Sequence, residues 1–210
     1  MSALGHARTA CRHEPAGIMT APELSVPKTI VLIGMMGAGK TCIGRKLAER
    51  LGRPFIDADQ EIADAAGCSI PDIFARHGEA AFREGERRVI GRLLDEPVHI
   101  LATGGGAFIS EQTRAKIRDK AISVWLRADI DLLLRRVARR NNRPLLQQGE
   151  PRQVLEKLMA ERYPVYAEAD IIVDSMDGPR DAMVNKVYDA IADYLAHGRR
   201  QPAPMRSAAP

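Results

Sequence analysis

The chain has 210 residues, 45% of them hydrophobic, 28% charged and 4% aromatic, with a formal net charge of +4. That length suits one domain with extensions, and no apolar run approaches the roughly 18 residues of a membrane-spanning helix. Cys11, Cys42 and Cys68 form no CxxC and have no histidine pair nearby, so a disulfide framework or zinc site is not expected and a reducing cytoplasm is.

The first 26 residues scatter Gly5, Pro15, Gly17 and Pro22 among charges without a continuous apolar block, the form of a flexible arm rather than a secretory signal. Thr29-Ile30-Val31-Leu32-Ile33 is a β-branched run ending at a glycine, which reads as a buried strand. Beyond the next loop Ile43, Leu47 and Leu51 recur every fourth residue, and Gly52 stands at the stop position of an amphipathic helix. Pro54-Phe55-Ile56 forms a second short strand closed by Asp57-Ala58-Asp59. Short helical patterns follow over Gln60 to Ala66 and Ile70 to Arg76, broken by Gly67 and Gly78, and a longer one runs from Glu79 to Leu94. His99 to Thr103 is a third strand that meets Gly104-Gly105-Gly106, and Ser110 is placed to cap the helix reaching Arg118. A strand over Ala121 to Leu126, a helix over Asp129 to Arg140, a basic loop, and a helix over Gln153 to Glu168 come next. Asp170 to Val173 is a fifth strand, Pro179 to Ala196 a closing helix, and residues 199–210 a loose Pro-rich tail. Alternating strands and helices predict parallel crossovers, hence an α/β three-layer sandwich around a five-stranded parallel sheet.

Gly34-Met35-Met36-Gly37-Ala38-Gly39-Lys40-Thr41 fits GxxxxGK[ST] in full, between a predicted strand and a predicted helix. Glycines there let successive backbone N–H groups point inward and form an anion nest at a helix N-terminus. In such a loop Lys40 can reach the β- and γ-phosphates of a nucleotide, and the Thr41 hydroxyl can ligate Mg²⁺. The pattern specifies a nucleotide and leaves the acceptor open. A second acid near the metal is expected at a strand end. The third strand ends in threonine and glycines, so Asp57 takes that place. Asp59 lies two residues on, and both carboxylates leave the same side if the strand persists. The alternative is a turn in which Asp59 only caps the helix at Gln60.

Arg83, with Glu86 one helical turn on, Arg143 in the basic loop and Arg162 are candidates to hold an anion, since a guanidinium fork pairs with carboxylate or phosphate. Each alone is more often a solvated surface arginine. Three glycines at a strand's C-terminal end let a small molecule approach the backbone where ligands bind open α/β sheets. No guanine-type NKxD stands after a strand, because Asn185 to Asp189 has the wrong spacing and falls inside the last helix. The run Arg135, Arg136, Arg139, Arg140 and Arg143 could suit nucleic acid but is better explained as a lid and its approach.

GMMGAGKT, DAD, FREGE, TGGGA, NNRPLL and MAERYPVY, in this order, resemble the shikimate kinase family over roughly Val26 to Leu195. The resemblance implies a P-loop NTPase fold of the nucleoside-monophosphate-kinase type over residues 27–198, with a lid at about 139–153. It implies ATP as co-substrate with one Mg²⁺, contacted through Gly37, Ala38, Gly39, Lys40, Thr41, Cys42, Arg136 against adenine, and the lid residue Arg143. Thr41 and Asp57 would serve the metal. Asp59 would meet the hydroxyls of shikimate, and Arg83 and Arg162 its carboxylate, with Gly104, Gly105 and Gly106 lining the pocket. Lys40, Asp59 and Arg143 would carry the chemistry. A cytoplasmic monomer without nucleic-acid or membrane partners is expected. A gluconate or nucleotide kinase on the same scaffold is the nearest alternative.

Overall fold

A computed structural model describes residues 24–138 and 150–198 of the chain. Strand β1 (Thr29–Ile33) is buried along its whole length, as a run without polar alternation requires when both sheet faces are covered. It pairs in parallel with β3 (Ile100–Ala102) on one side and β4 (Ala121–Arg127) on the other, so that Val31 lies beside both Leu101 and Ser123. The edges are β2 (Phe55–Asp57), with Asp57 level with Ala102, and β5 (Ile171–Asp174), giving the order β2-β3-β1-β4-β5. The expected parallel five-stranded sheet is therefore present, and its strands all end on one side.

Helices α1 (Lys40–Arg50) and α7 (Arg180–His197) pack together, linked by Lys46 to Asp181 and by Arg50 over the Tyr188 ring at 3.7 Å. A second group comprises α3 (Ile70–Leu93), α4 (Glu111–Lys120), α5 (Ile130–Ala138) and α6 (Pro151–Tyr166). These touch in series, with a short 3-10 turn at Ala107–Ile109 between α4 and α6. One apolar core joins the sheet to these layers. A separate small cluster of Ile62, Ile73 and Phe82 joins α2 (Ala58–Ala66) to α3. None of the described helices is long and apolar enough to cross a membrane.

Two local expectations are refined. The break at Gly78 is real: its φ of 77° interrupts α3, where only a residue without Cβ sits without strain. The end of β2 differs. Helix α2 starts at Ala58, two residues early, and its cap is Asp57, whose Oδ1 accepts the Asp59 N–H at 3.1 Å. Asp59 thus belongs to the first helical turn, and strand alternation does not set its direction.

Gly44 marks where α1 lies closest to the sheet. A Cβ there would stand 2.5 Å from Phe55 Cε2 and 3.0 Å from Leu32 Cδ1. Gly44→Ala is expected to lower the free energy of unfolding by about 1–2 kcal/mol, overpacking outweighing the helix-propensity gain. Denaturant unfolding of the two proteins measures the difference, and an equal or higher midpoint would show that the contact relaxes freely.

Candidate active site

The loop after β1 has the backbone that the glycine pattern requires. Gly34, Gly37 and Gly39 have φ of 139°, 83° and 100°, and a Cβ on Gly34 would stand 2.8 Å from the Leu126 carbonyl oxygen. Lys40 opens α1, and its Nζ donates to the carbonyls of Gly34 at 2.8 Å and Met35 at 3.1 Å, arching the side chain back across the loop. Thr41 donates its hydroxyl to Asp57 Oδ2 at 2.9 Å. One carboxylate therefore does two things: Oδ1 caps α2, and Oδ2 ties the phosphate loop to the end of β2.

Gly104, Gly105 and Gly106 follow β3, between those two elements. Each glycine faces a different charged group. A Cβ on Gly104 would stand 2.8 Å from Asp59 Oδ1 and 3.1 Å from Glu86 Oε1. On Gly105 it would stand 3.1 Å from Arg162 Nη1, and on Gly106 only 2.4 Å from Arg83 Nη1. Two acids and two arginines, drawn from α2, α3 and α6, thus press against one stretch of bare backbone.

Glu86 is the buried member, with 3% of its surface exposed. Burial pushes its carboxyl up from the ordinary 4.5, the hydrogen bond and charge of Arg83 oppose the shift, and Asp59 adds to it. Arg83 donates to Glu86 Oε2 at 2.8 Å and also reaches Glu79 Oε1 at 3.2 Å, so one guanidinium is held by acids on two sides. Burial works against that cation, and the two glutamates raise its pKa nonetheless.

These groups line one crevice of about 750 Å³. Of the expected site residues, Gly37, Gly39, Lys40, Thr41, Cys42, Asp57, Asp59, Arg83, the three glycines, Arg136 and Arg162 all border it. Ala38, within the loop, is buried and does not border the crevice, and its N–H donates to the Met35 carbonyl at 3.1 Å. Arg136 crosses the far end, donating to the carbonyls of Ala38 at 3.4 Å and Met176 at 2.7 Å. Arg143 and residues 139–149 of the expected lid lie outside the described residues, as does Cys11; positions 151–153 of that lid open α6.

Sequence reasoning missed two parts of the crevice wall. Ile70, Phe74 and Phe82 supply an apolar side beside Arg83, and Met176 to Gly178 with Arg180 close the Arg136 end. The first looks like ordinary helix core in the sequence. The second is a loop whose only cue is Gly178, with a φ of 145°. No three His, Cys, Asp or Glu side chains among the described residues gather into a metal cage of their own. Thr41 and Asp57 instead offer two adjacent hard oxygen donors, a partial set of the kind that suits Mg²⁺, which fills its shell with water and phosphate oxygens.

Comparison with known proteins identifies the family. A family model described as shikimate kinase matches residues 36–192. A shikimate kinase of Paramagnetospirillum magneticum is 58% identical over 177 residues, 83% of this chain and 91% of that protein. The solved structure of shikimate kinase from Acinetobacter baumannii in complex with shikimate superposes with a TM-score of 0.76 at 40% identity, covering 79% of this chain and 93% of that one. A gluconokinase from Sinorhizobium meliloti reaches a TM-score of 0.54 at 20% identity over 81% of this chain and 98% of its own, a likeness of fold alone. Matched over most of its length at such identity, with the crevice in place, the chain belongs to the shikimate kinase family.

Proposed function

We infer that the protein transfers the γ-phosphoryl group of ATP to the 3-hydroxyl of shikimate, giving shikimate 3-phosphate and ADP, a step toward chorismate and the aromatic amino acids. The observation that carries this reading is the crevice itself. Lys40 and the phosphate loop stand at one end, and Asp59 with Arg83 and Arg162 stand over bare glycine backbone at the other.

In this reading Lys40 and the loop N–H groups hold the phosphates, while Arg136 lies against adenine. Thr41 and Asp57 hold one Mg²⁺, which when bound draws off charge from the phosphoryl oxygens. Arg83 and Arg162 grip the acceptor carboxylate, and Asp59 orients the attacking hydroxyl and accepts its proton. Arg143 belongs to a lid over the phosphates. Phosphoryl transfer passes through a loose transition state, so the protein's task is alignment and charge neutralisation rather than covalent chemistry. Exclusion of water by the lid keeps ATP from being hydrolysed. The reading includes a cytoplasmic monomer with small molecules as its only substrates.

Glu86 is a positioning residue in this scheme. Its carboxylate holds Nη1 of Arg83 while Glu79 holds Nε and Nη2, so the guanidinium is fixed with Nη1 and Nη2 over Gly106, each with one N–H left to meet a ligand. Because burial raises the Glu86 pKa, its ionised form lowers folding stability. The group's stabilising contribution is therefore complete below its unfolded value near 4.5, and is lost as pH rises through the higher folded value. Glu86→Gln is expected to remove that slope. The difference in unfolding free energy between the two proteins, followed by denaturant titration upward from pH 4.5, then changes in favour of the variant. A difference constant with pH would mean that the carboxylate is not penalised.

Coupled ADP release, with shikimate, gluconate and nucleoside monophosphates offered separately, tests the reaction. Shikimate alone should stimulate it, and stimulation by gluconate without shikimate would overturn the acceptor. Asp59→Asn is expected to keep ATP binding within about threefold while turnover falls by roughly 10² or more. Near-normal turnover would remove Asp59 from proton transfer.

A further inference from the structure

Tyr166 is the last residue of α6 and stands four positions after Arg162, so the two share one face of the helix. Its exposure is 0%, and its ring packs against Trp125 and Phe108 with centroids 5.7 Å and 6.5 Å away. The hydroxyl donates to the carbonyl of Gly105. A Cβ on Gly105 would stand 3.1 Å from Arg162 Nη1, 3.5 Å from the Gly34 carbonyl oxygen and 3.7 Å from the Tyr166 hydroxyl. The phosphate loop, the substrate-side arginine and this phenol therefore meet at a single peptide.

A trans peptide is planar, and its C=O and the following N–H point in opposite directions. We propose that Tyr166 is a positioning residue for the acceptor carboxylate: by holding the Gly105 carbonyl toward the interior, it turns the Gly106 N–H toward the crevice, beside Arg83 and Arg162. Glycines resist peptide rotation less than any other residue, so three in a row need such an anchor. The neighbouring segment has its own fastening. Arg114 donates to the carbonyls of Phe108 at 3.0 Å and Ile109 at 2.8 Å and to Glu168 at 3.2 Å. Loss of the Tyr166 hydroxyl thus leaves the segment in place and releases the peptide plane, together with the hydrogen bond that the hydroxyl accepts from Arg162. Burial pushes the phenol up to about 12, against the opposing Arg162, so it remains a donor throughout the physiological range.

Tyr163 supplies the control. It lies on the same helix and in the same aromatic cluster, with its ring 4.9 Å from Trp125, and its hydroxyl donates to the Ala128 carbonyl rather than to the glycine segment. The inference rests on shikimate as acceptor, so wild-type turnover is measured first, and its absence would sink that reading and not the tyrosine's placement. With turnover present, Tyr166→Phe is expected to raise the KM for shikimate about tenfold, with kcat and the KM for ATP within about twofold. Tyr163→Phe should lose comparable thermal stability and leave the shikimate KM unchanged. Direct shikimate titration, followed by the fluorescence of Trp125, the chain's one tryptophan, should show the same loss in the first variant alone. An unchanged shikimate KM in Tyr166→Phe, an equal rise in both variants, or failure of Tyr166→Phe to fold while Tyr163→Phe folds would overturn the proposal. In each case the hydroxyl would serve the core and not the site.

Discussion

Strand β1 is the fixed reference of this protein. All five of its residues are buried, it is hydrogen-bonded on both edges, and its last residue leads directly into the phosphate loop. Each fully buried aliphatic side chain there contributes about 1.5–3 kcal/mol, so the strand does not shift to suit the loops that leave it. The loops must fit the strand instead. Because β3 is inserted between β1 and β2, the three glycines are set between the phosphate loop and Asp57. Thr103 fastens that junction, donating both its N–H and its hydroxyl to the Leu32 carbonyl at 3.2 Å.

Around this junction the charges are arranged so that none is left isolated in the low-dielectric part of the crevice. Glu86 is nearly inaccessible, a costly place for a carboxylate, and it is retained with a guanidinium at 2.8 Å and a second arginine acting on it from α6. Such a pair does more for orientation than for stability. It holds the Arg83 guanidinium over the backbone of Gly106, the kind of preorganisation that two-point recognition of a carboxylate uses. The Thr41–Asp57 bond does the same between the phosphate loop and the end of β2. Both ends of the crevice are thereby set by hydrogen bonds anchored in strand ends and helix starts.

What could be read from the sequence was whatever depends on neighbours in the chain. GxxxxGK[ST] is local, so the loop, its lysine and its threonine were plain, and so was the interruption at Gly78. Arg83 and Glu86 were legible because one helical turn brings them together. The position of Asp59 was not, since Asp57 captures its N–H and starts the helix early, and that competition between strand and cap leaves no mark on the apolar pattern. Strand order is likewise a matter of distant pairing. Phe74 and Phe82 gave no sign of the crevice, because an apolar side chain on a helix serves a core or a crevice wall alike. Tyr166 was visible inside a motif, but the atom that its hydroxyl meets lies 61 residues away in the chain.

Three residues without side chains also carry a consequence for inheritance. Every amino acid one base away from a glycine codon, from alanine and serine to arginine and tryptophan, adds at least a Cβ. At Gly104 and Gly106 that atom would fall within 2.8 Å and 2.4 Å of a carboxylate and a guanidinium. A single-base change at either position is accommodated only when the charged side chain opposite swings away from the strand end. Descendants of this chain that alter the bare backbone at the end of β3 are thus expected to alter the charges that face it as well.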